Sequence, residues 1–183
     1  MKKIIARIIS IPLKWFFTLR NHGRVKFGKR IYINYRFKFR GPGKLIIGND
    51  VNLWAHKEWN EFLTFDKKAV IKIGDKTRLN GVAIQARSSV SIGKNCIIGS
   101  AMLIDNDFHS IDYRHRNDPE FIESKPIMVG DDVWVGGQST VLKGVHIGNR
   151  SVIGFKALVT KNIPNDVVAA GNPAIVVKEL KYE

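Results

Sequence analysis

The chain has 183 residues, one cysteine and a formal net charge of +14 at pH 7. This length predicts one domain with a substantial core, and a single cysteine excludes an internal disulfide. Of the 30 Lys and Arg residues, 13 lie in residues 1–49, which contain no Asp or Glu. Such asymmetry indicates attraction of the N-terminal quarter to anionic lipid, an anionic glycan or nucleic acid.

Residues 1–22 form a basic amphipathic segment. Ile4, Ile5, Ile8 and Ile9 follow a helical period, and Pro12 is expected to end or kink the helix there. Two interpretations remain open: a helix that caps the fold and docks its isoleucines, or one that also lies on an anionic membrane. The segment is too charged to span a bilayer and has no signal-peptide pattern. We therefore expect a cytoplasmic protein, peripheral at most on the inner face of the cell membrane.

Residues 24–40 alternate between apolar and basic side chains, which predicts a strand with one face buried. Aromatic residues interleaved with basic ones are also typical of nucleic-acid binding. Here the aromatic residues mostly occupy the inward phase, which favours a core role. We therefore expect no nucleic-acid partner, and we assign any peripheral contact with an anionic membrane to residues 1–40.

Aliphatic residues recur every six positions through much of the remaining domain, residues 23–183. A helix would need a period near 3.6 and a plain strand a period of 2, whereas six is the period of hexapeptide-repeat parallel β-helices. Residues 54–68 interrupt the pattern and could form a strand or a loop. Glycine suits the corners because it tolerates positive φ and close backbone approach. The most regular stretch contains Val129, Val135, Val141, Ile147, Ile153 and Val159.

The pattern predicts about six coils of about 18 residues each. It stops at residues 105–127, which are polar, charged and poor in aliphatic residues. A polar insertion in a regular solenoid indicates a loop that carries function. After Pro164, a loop and a short basic tail follow, which could end in a strand or a helix.

Three motifs resemble those of the hexapeptide-repeat acyltransferases, most closely sugar O-acetyltransferases of the galactoside and maltose type. They are Pro126–Gly136 (PIMVGDDVWVG), Val159–Pro164 (VTKNIP) and Ala170–Ala174 (AGNPA). The resemblance implies an all-β fold, a left-handed parallel β-helix. It also implies acetyl-CoA as co-substrate, a homotrimer, direct transfer without a covalent nucleophile, and no required metal.

The segment around His109 resembles the catalytic segment of this family. By that match His109 is the general base, a role that suits histidine because its ordinary pKa lies near neutrality. Asp105 and Asp107 flank it in the same loop, and one of them would orient the imidazole or contact the acceptor. The sequence leaves open which of the two does so.

The family binds CoA in a groove between neighbouring subunits. Phe155 stands where the family usually has a small residue, and Ile175 where some relatives carry a basic one, so the seating of CoA could differ in detail. The matched cofactor positions are Trp134, Gly136 and Gly137 beside the thioester and pantetheine arm, Thr160 and Lys161 near the pantetheine and nucleotide, and Lys178 at the CoA phosphates.

The leading hypothesis is an acetyl-CoA-dependent O-acetyltransferase acting on a sugar hydroxyl in bacterial surface polysaccharide synthesis. Acetylation of an amino group, on a nucleotide-linked amino sugar or an antibiotic, is the main alternative. A metalloenzyme like the γ-class carbonic anhydrases and a scaffold without enzymatic activity are less favoured. The first lacks a third suitably placed histidine, and the second does not explain the intact motifs.

Overall fold

A computed structural model describes the backbone of residues 2–182 and the side chains of residues 5–182. It contains an N-terminal helix, α1 (Lys2–Arg20), followed by short strands that wind into six three-stranded coils. In chain order the coil strands are β1 (Val25–Phe27), β2 (Tyr32–Ile33), β3 (Phe37–Arg40), β4 (Lys44–Ile47), β5 (Asn52–Leu53), β6 (Asn60–Thr64), β7 (Val70–Ile73), β8 (Arg78–Leu79), β9 (Ala83–Ala86), β10 (Ser89–Ile92), β11 (Ile97–Ile98), β12 (Met102–Ile104), β13 (Ile127–Val129), β14 (Trp134–Val135), β15 (Thr140–Leu142), β16 (His146–Ile147), β17 (Val152–Ile153) and β18 (Leu158–Val159).

The coil strands stack into three parallel sheets, which form the sides of a three-sided prism. We name them sheet A (β1, β4, β7, β10, β13, β16), sheet B (beginning with β2, β5, β8, β11, β14, β17) and sheet C (β3, β6, β9, β12, β15, β18). The predicted parallel β-helix of about six coils is therefore confirmed. The C-terminal tail forms strands rather than a helix: β19 (Val167–Gly171) extends sheet B, and β20 (Ala174–Glu179) pairs with it antiparallel.

The strand register stacks the inward aliphatic residues of successive coils directly on one another. In sheet A, Val25 pairs with Leu45, Leu45 with Ile71, Ile71 with Val90, and Val90 with Ile127. All five side chains are 0% exposed. A second column in sheet A contains the six-spaced residues themselves, such as Val129 and Ile147, which lie two positions after the first. Each full-length strand of sheet A thus sends two residues inward, and these columns form part of the core of the prism.

Glycines recur at the turns from sheet A to sheet B, and the structure supports only one of the two reasons expected for them. Gly93 lacks a positive φ there, but an added Cβ would lie 2.5 Å from the carbonyl oxygen of Gly130 in the next coil. Of the two reasons for a glycine at the corners, close backbone approach therefore applies at this turn and positive φ does not. The left-handed conformation falls two residues later, with φ between 56° and 60° at Asp50, Lys76, Asn95, Asp132 and Arg150.

Helix α1 closes the first coil of the prism, but not in the way the sequence predicted. The helix continues through Pro12 to Arg20 instead of ending at the proline. Leu13 and Phe17 pack against the core, and Ser10 is buried against β2. Of the isoleucines that were expected to dock, Ile5, Ile8 and Ile9 are exposed, because the inner face of the helix is formed by this other set, and the side chain of Ile4 lies outside the described residues. No helix in the described part of the chain has the length and apolarity needed to cross a bilayer.

The two irregular segments of the repeat have different structures. Within residues 54–68, β6 is a regular strand of sheet C, so only the turn before it departs from the coil. Residues 105–126 leave the prism after β12, at the corner between sheets C and A, and return at β13. This insertion contains two short 3₁₀ turns, Tyr113–His115 and Pro119–Phe121, and an antiparallel bridge between Asn106 and Ser124.

Candidate active site

A tight turn presents His109 at the start of the insertion. The Asn106 side-chain oxygen accepts a hydrogen bond from the Phe108 amide (3.0 Å), and the His109 amide donates to the Asp107 carbonyl (2.6 Å). Phe108 has φ 60°, a conformation that a bulky residue adopts only when its surroundings hold it there. The side chain of His109 is exposed at this turn.

The Phe108 ring fixes the turn to the body of the prism. It contacts Phe65, which follows β6, edge to face, with a centroid separation of 5.6 Å. Such aromatic pairs add stabilisation beyond the area they bury. The histidine therefore stands on a turn held by an amide side chain on one side and an aromatic pair on the other.

Asp105 lies beneath this turn and is 0% exposed. One carboxylate oxygen accepts from the Arg87 amide (2.7 Å) and the other from the Ser88 amide (2.8 Å). The Asn106 side-chain amide also donates to it, at 3.1 Å. Both oxygens are thus occupied by the turn between β9 and β10, and the carboxylate holds that turn in place.

Asp107 belongs to an ion-pair cluster beside the histidine. Its carboxylate lies 2.5 Å from the Lys143 ammonium, which also contacts Glu123. Burial opposes the charge on Lys143, but its hydrogen bonds to Asp107 and Glu123 outweigh that effect and raise its pKa. Lys125 and Lys143 lower the pKa of Glu123 to about 2. Among the described residues, neither Asp105 nor Asp107 makes a hydrogen bond to the imidazole of His109.

The predicted thioester-side residues lie on another part of the prism. Trp134 projects outward from sheet B and is 55% exposed. Gly136 and Gly137 form the corner between sheets B and C. An added Cβ on Gly136 would lie 2.8 Å from the Ile153 carbonyl oxygen. One on Gly137 would lie 3.4 Å from the ring of Phe155 and 3.9 Å from the Ser100 backbone nitrogen, both ordinary contact distances. Close packing of the chain thus explains why residue 136 is a glycine, but it does not explain the glycine at position 137.

The two backbone amides at this corner also differ. The Gly136 amide donates to the Ile153 carbonyl at 2.8 Å, so it is not free to bind a ligand. The Gly137 amide makes no hydrogen bond among residues 2–182. Phe155 is exposed at the same corner, with its ring beside Gly137. The Gly137 amide and the Phe155 ring thus lie at the same corner of the prism.

The remaining predicted cofactor residues are all exposed. Thr160 and Lys161 follow β18 at the corner between sheets C and A, two coils beyond the insertion. Lys178 lies on β20, opposite Val168 of β19.

In a single chain these residues form two separate groups. His109, Thr160 and Lys161 share the corner between sheets C and A, whereas Gly136 and Gly137 lie at the corner between sheets B and C. The histidine and the free Gly137 amide are therefore on different edges of the prism, and one chain does not bring them together.

Lys143, Glu123 and Asn106 contribute to the site, although the sequence motifs did not point to them. The register of sheet C could have located Lys143, since Ile104 pairs with Leu142 and their next neighbours are Asp105 and Lys143. That register was hidden because the insertion separates the two strands along the chain. No signal in the sequence marks Glu123, whose place depends on the path of the insertion.

Two other groups bear on the chemistry of the chain. Cys96 is buried, and its burial raises the pKa of the thiol to about 11, which favours a structural over a reactive role for this residue. Among the described residues, no group of three or more His, Cys, Asp or Glu side chains is arranged to hold a metal ion.

Known proteins share both the sequence pattern and the fold. Residues 126–161 match the family described as bacterial transferase hexapeptide (six repeats). The galactoside O-acetyltransferase of Escherichia coli K12 is 39% identical over 92 residues, which is 50% of this chain and 45% of that protein. A putative lipopolysaccharide biosynthesis O-acetyl transferase, WbbJ, from the same strain is 32% identical over 126 residues, 63% of this chain and 64% of that protein. The chain therefore matches less than two thirds of the length of either relative.

A solved structure extends the likeness to almost the whole chain. The hexapeptide-repeat acetyltransferase VCA0836 of Vibrio cholerae O1 biovar eltor, complexed with acetyl-CoA, aligns with a TM-score of 0.66 and 26% identity. The alignment covers 98% of this chain and 84% of that one. The repeat, the three-sided prism and these relatives together show a left-handed parallel β-helix that is similar in sequence and fold to the hexapeptide-repeat acetyltransferases.

Proposed function

We propose that the protein is an acetyl-CoA-dependent O-acetyltransferase that acetylates a sugar hydroxyl. The observation that carries this proposal is His109, an exposed imidazole held on a constrained turn within the segment that resembles the family's catalytic motif. Two relatives named as O-acetyltransferases and a neighbour bound to acetyl-CoA support the reaction type and the acetyl donor.

In the proposed reaction, His109 accepts the proton of the sugar hydroxyl as its oxygen attacks the thioester carbonyl carbon. The carbonyl oxygen becomes an oxyanion, and the unpaired Gly137 amide is the donor that we assign to it. The tetrahedral intermediate then collapses, the carbon–sulfur bond breaks, and the imidazolium returns its proton to the CoA sulfur. The products are the acetyl ester and free CoA.

The two aspartates would serve this reaction differently. Asp105 would support the catalytic turn from beneath, because its carboxylate binds the backbone amides of Arg87 and Ser88. Asp107, held by Lys143 at the surface of the insertion, would contact the acceptor. Trp134, Thr160, Lys161 and Lys178 remain the positions that we assign to CoA.

The complete site would require a second subunit. His109 and the Gly137 amide lie on different edges of the prism, so the His109 edge of one chain would face the Gly137 edge of another. A homotrimer provides three such junctions in a closed ring. This arrangement supports the proposal that the protein works as a homotrimer with CoA between neighbouring subunits.

The acceptor that we propose is a glycan assembled for the bacterial surface. The relative named as a putative lipopolysaccharide biosynthesis O-acetyl transferase supports this assignment. We place the enzyme in the cytoplasm, where acetyl-CoA is made, and at the inner face of the cell membrane through its basic N-terminal residues 1–40.

Replacing His109 with alanine tests the catalytic role. We expect the variant to lose acetyl transfer to glycan acceptors, because general-base catalysis contributes about 10²–10⁴-fold. It should keep the rise in melting temperature that acetyl-CoA causes, since saturation at about 100 times Kd adds about 2.7 kcal/mol of stability. His146→Ala, at an exposed histidine of sheet A, is the matched control and should stay active. Full activity in His109→Ala would exclude the mechanism.

A further inference from the structure

Helix α1 has one face that is fully used by the fold. Ser10 is 1% exposed, accepts from the Ile33 amide at 2.9 Å and donates to the Ala6 carbonyl at 2.6 Å. Phe17 packs on Phe37 with a ring separation of 4.7 Å. This face holds the helix across the open end of the first coil, which is all that a cap requires.

The opposite face of α1 is also apolar, although the fold does not cover it. With about 100° of rotation per residue, Ile8, Trp15 and Leu19 fall within one narrow sector directly away from Ser10 and Phe17. Their exposures are 63%, 67% and 70%. Further exposed apolar residues widen this sector: Ile5, Ile11 and Phe16. We call these six residues the outer face.

A cap that only faced water would carry polar residues there, as solenoid caps normally do. Surface helices of globular proteins likewise place charged residues on the side away from the core. On α1, by contrast, the side away from the core carries large apolar residues along the length of the helix. Its composition therefore requires something apolar against it.

The charges around the outer face indicate what that is. Arg7, Lys14 and Arg20 lie on the helix at the borders of the outer face, and residues 1–49 contain no acidic residue. The Lys14 ammonium also binds the Gly28 carbonyl (3.0 Å), which fixes it at the junction between helix and prism. A broad apolar stripe with Trp and Phe, bordered by cations, is complementary to the interface of an anionic bilayer.

We propose that the outer face of α1 inserts into the headgroup and upper acyl region of an anionic membrane, so that the helix lies in the membrane plane. The inner face remains docked on the first coil, and the prism is held against the lipid surface by its end. The inference rests on the membrane location proposed above and assigns the contact to one face of one helix. It does not depend on acetyl transfer, so that a failure to bind lipid would leave the proposed reaction standing.

Vesicle sedimentation with phosphatidylcholine vesicles, with and without phosphatidylglycerol, tests the proposal. The full chain should bind the anionic vesicles more tightly than the neutral ones, and added salt should weaken but not abolish this binding. The variant Ile8→Ser/Trp15→Ser/Leu19→Ser should lose at least about tenfold in partition coefficient, because three large apolar side chains no longer insert. Its melting temperature should not fall, since these side chains are exposed.

A matched control removes three exposed apolar side chains elsewhere. Ile175→Thr/Val176→Thr/Val177→Thr changes exposed positions of β20 and should leave vesicle binding unchanged. Insertion itself is read from quenching of tryptophan fluorescence by brominated lipid. The variant Trp15→Phe should still bind the vesicles, but most of the quenching should disappear.

Two results would overturn the inference. Equal vesicle binding by the Ile8/Trp15/Leu19 variant and the unmodified chain would mean that charge alone attracts the protein to lipid. If the chain ignored both kinds of vesicle and the same variant changed its oligomeric state by light scattering, the outer face would instead cover a second copy of the protein.

Discussion

At the scale of single residues, the adjacent glycines Gly136 and Gly137 serve different purposes. Gly136 is required for packing, whereas Gly137 is proposed to contact the ligand. Gly136→Ala would place a Cβ 2.8 Å from backbone atoms of the next coil, whereas in Gly137→Ala the Cβ would lie no nearer than 3.4 Å to any atom. We expect Gly136→Ala to lose about 1–3 kcal/mol of unfolding free energy through overpacking. Gly137→Ala should keep its stability but bind acetyl-CoA about tenfold more weakly, equivalent to about 1.4 kcal/mol.

Urea unfolding and the KM for acetyl-CoA measure these two effects. Each variant serves as the control for the other, because both add the same methyl group at neighbouring positions. A loss of stability in Gly137→Ala without a change in KM would mean that bound acetyl-CoA does not lie against Gly137, and the proposed contact between its amide and the thioester oxygen would be wrong.

Asp105 gives the second prediction at this scale. In Asp105→Asn an NH₂ group would replace one carboxylate oxygen. This group cannot accept a hydrogen bond, so the backbone N–H of either Arg87 or Ser88 would lose its acceptor. Because the site is fully buried, we expect a cost of about 1–3 kcal/mol in unfolding free energy. Asp107→Asn is the control, because its partner Lys143 keeps a contact with Glu123. Equal melting temperatures for the two variants would contradict the structural role of Asp105.

The sequence could identify the histidine but not the separate roles of its neighbours. Asp105 and Asp107 have the same chemistry and flank the same residue, and the motif treats them alike. What distinguishes them is the turn of the preceding coil, whose amides reach Asp105 but not Asp107. That contact is made across 17 or 18 residues of chain, so local pattern alone could not reveal it.

At the scale of elements, the repeat was predictable wherever aliphatic residues at a spacing of six enter the core. It was obscured at β6, where Asn60 takes an inward position. The buried Asn60 side chain accepts a hydrogen bond from the Gly81 amide and donates one to the Leu53 carbonyl. Of the two outcomes expected at Pro12, an end of the helix is wrong, because packing of Leu13 and Phe17 on the first coil favours its continuation.

The two faces of α1 lead to opposite predictions for stability. Phe17→Ala removes a ring that packs on Phe37, and we expect a loss of about 2–4 kcal/mol in unfolding free energy. Trp15→Ala removes a larger side chain from the outer face and should change stability by less than about 0.5 kcal/mol in the absence of lipid. Chemical unfolding in detergent-free buffer compares the two. A larger loss for Trp15→Ala would mean that the outer face is covered by protein.

At the scale of the whole molecule, the regular prism repeats its edges but carries different chemistry on each. The corner between sheets C and A carries the histidine, and the corner between sheets B and C carries the free amide. Because the edges of a prism cannot fold onto one another, a second chain is the simplest way to complete the site. The same geometry places the basic N-terminal segments of a cyclic trimer at one end, where they would face a membrane together.

Mixing two inactive variants tests whether the site is shared between subunits. His109→Ala lacks the base, and Gly137→Leu carries a side chain where the thioester would lie, so each alone should be inactive. In mixed trimers from equal amounts of both, about a quarter of the sites would combine an intact His109 edge with an intact Gly137 edge. We therefore expect activity to return to about a quarter of the unmodified level. Mixing His109→Ala with the double variant should restore nothing, because no junction then contains an intact His109. If tagged mixed trimers formed but stayed inactive, both groups would have to act within one chain, and the edge-to-edge site would be wrong.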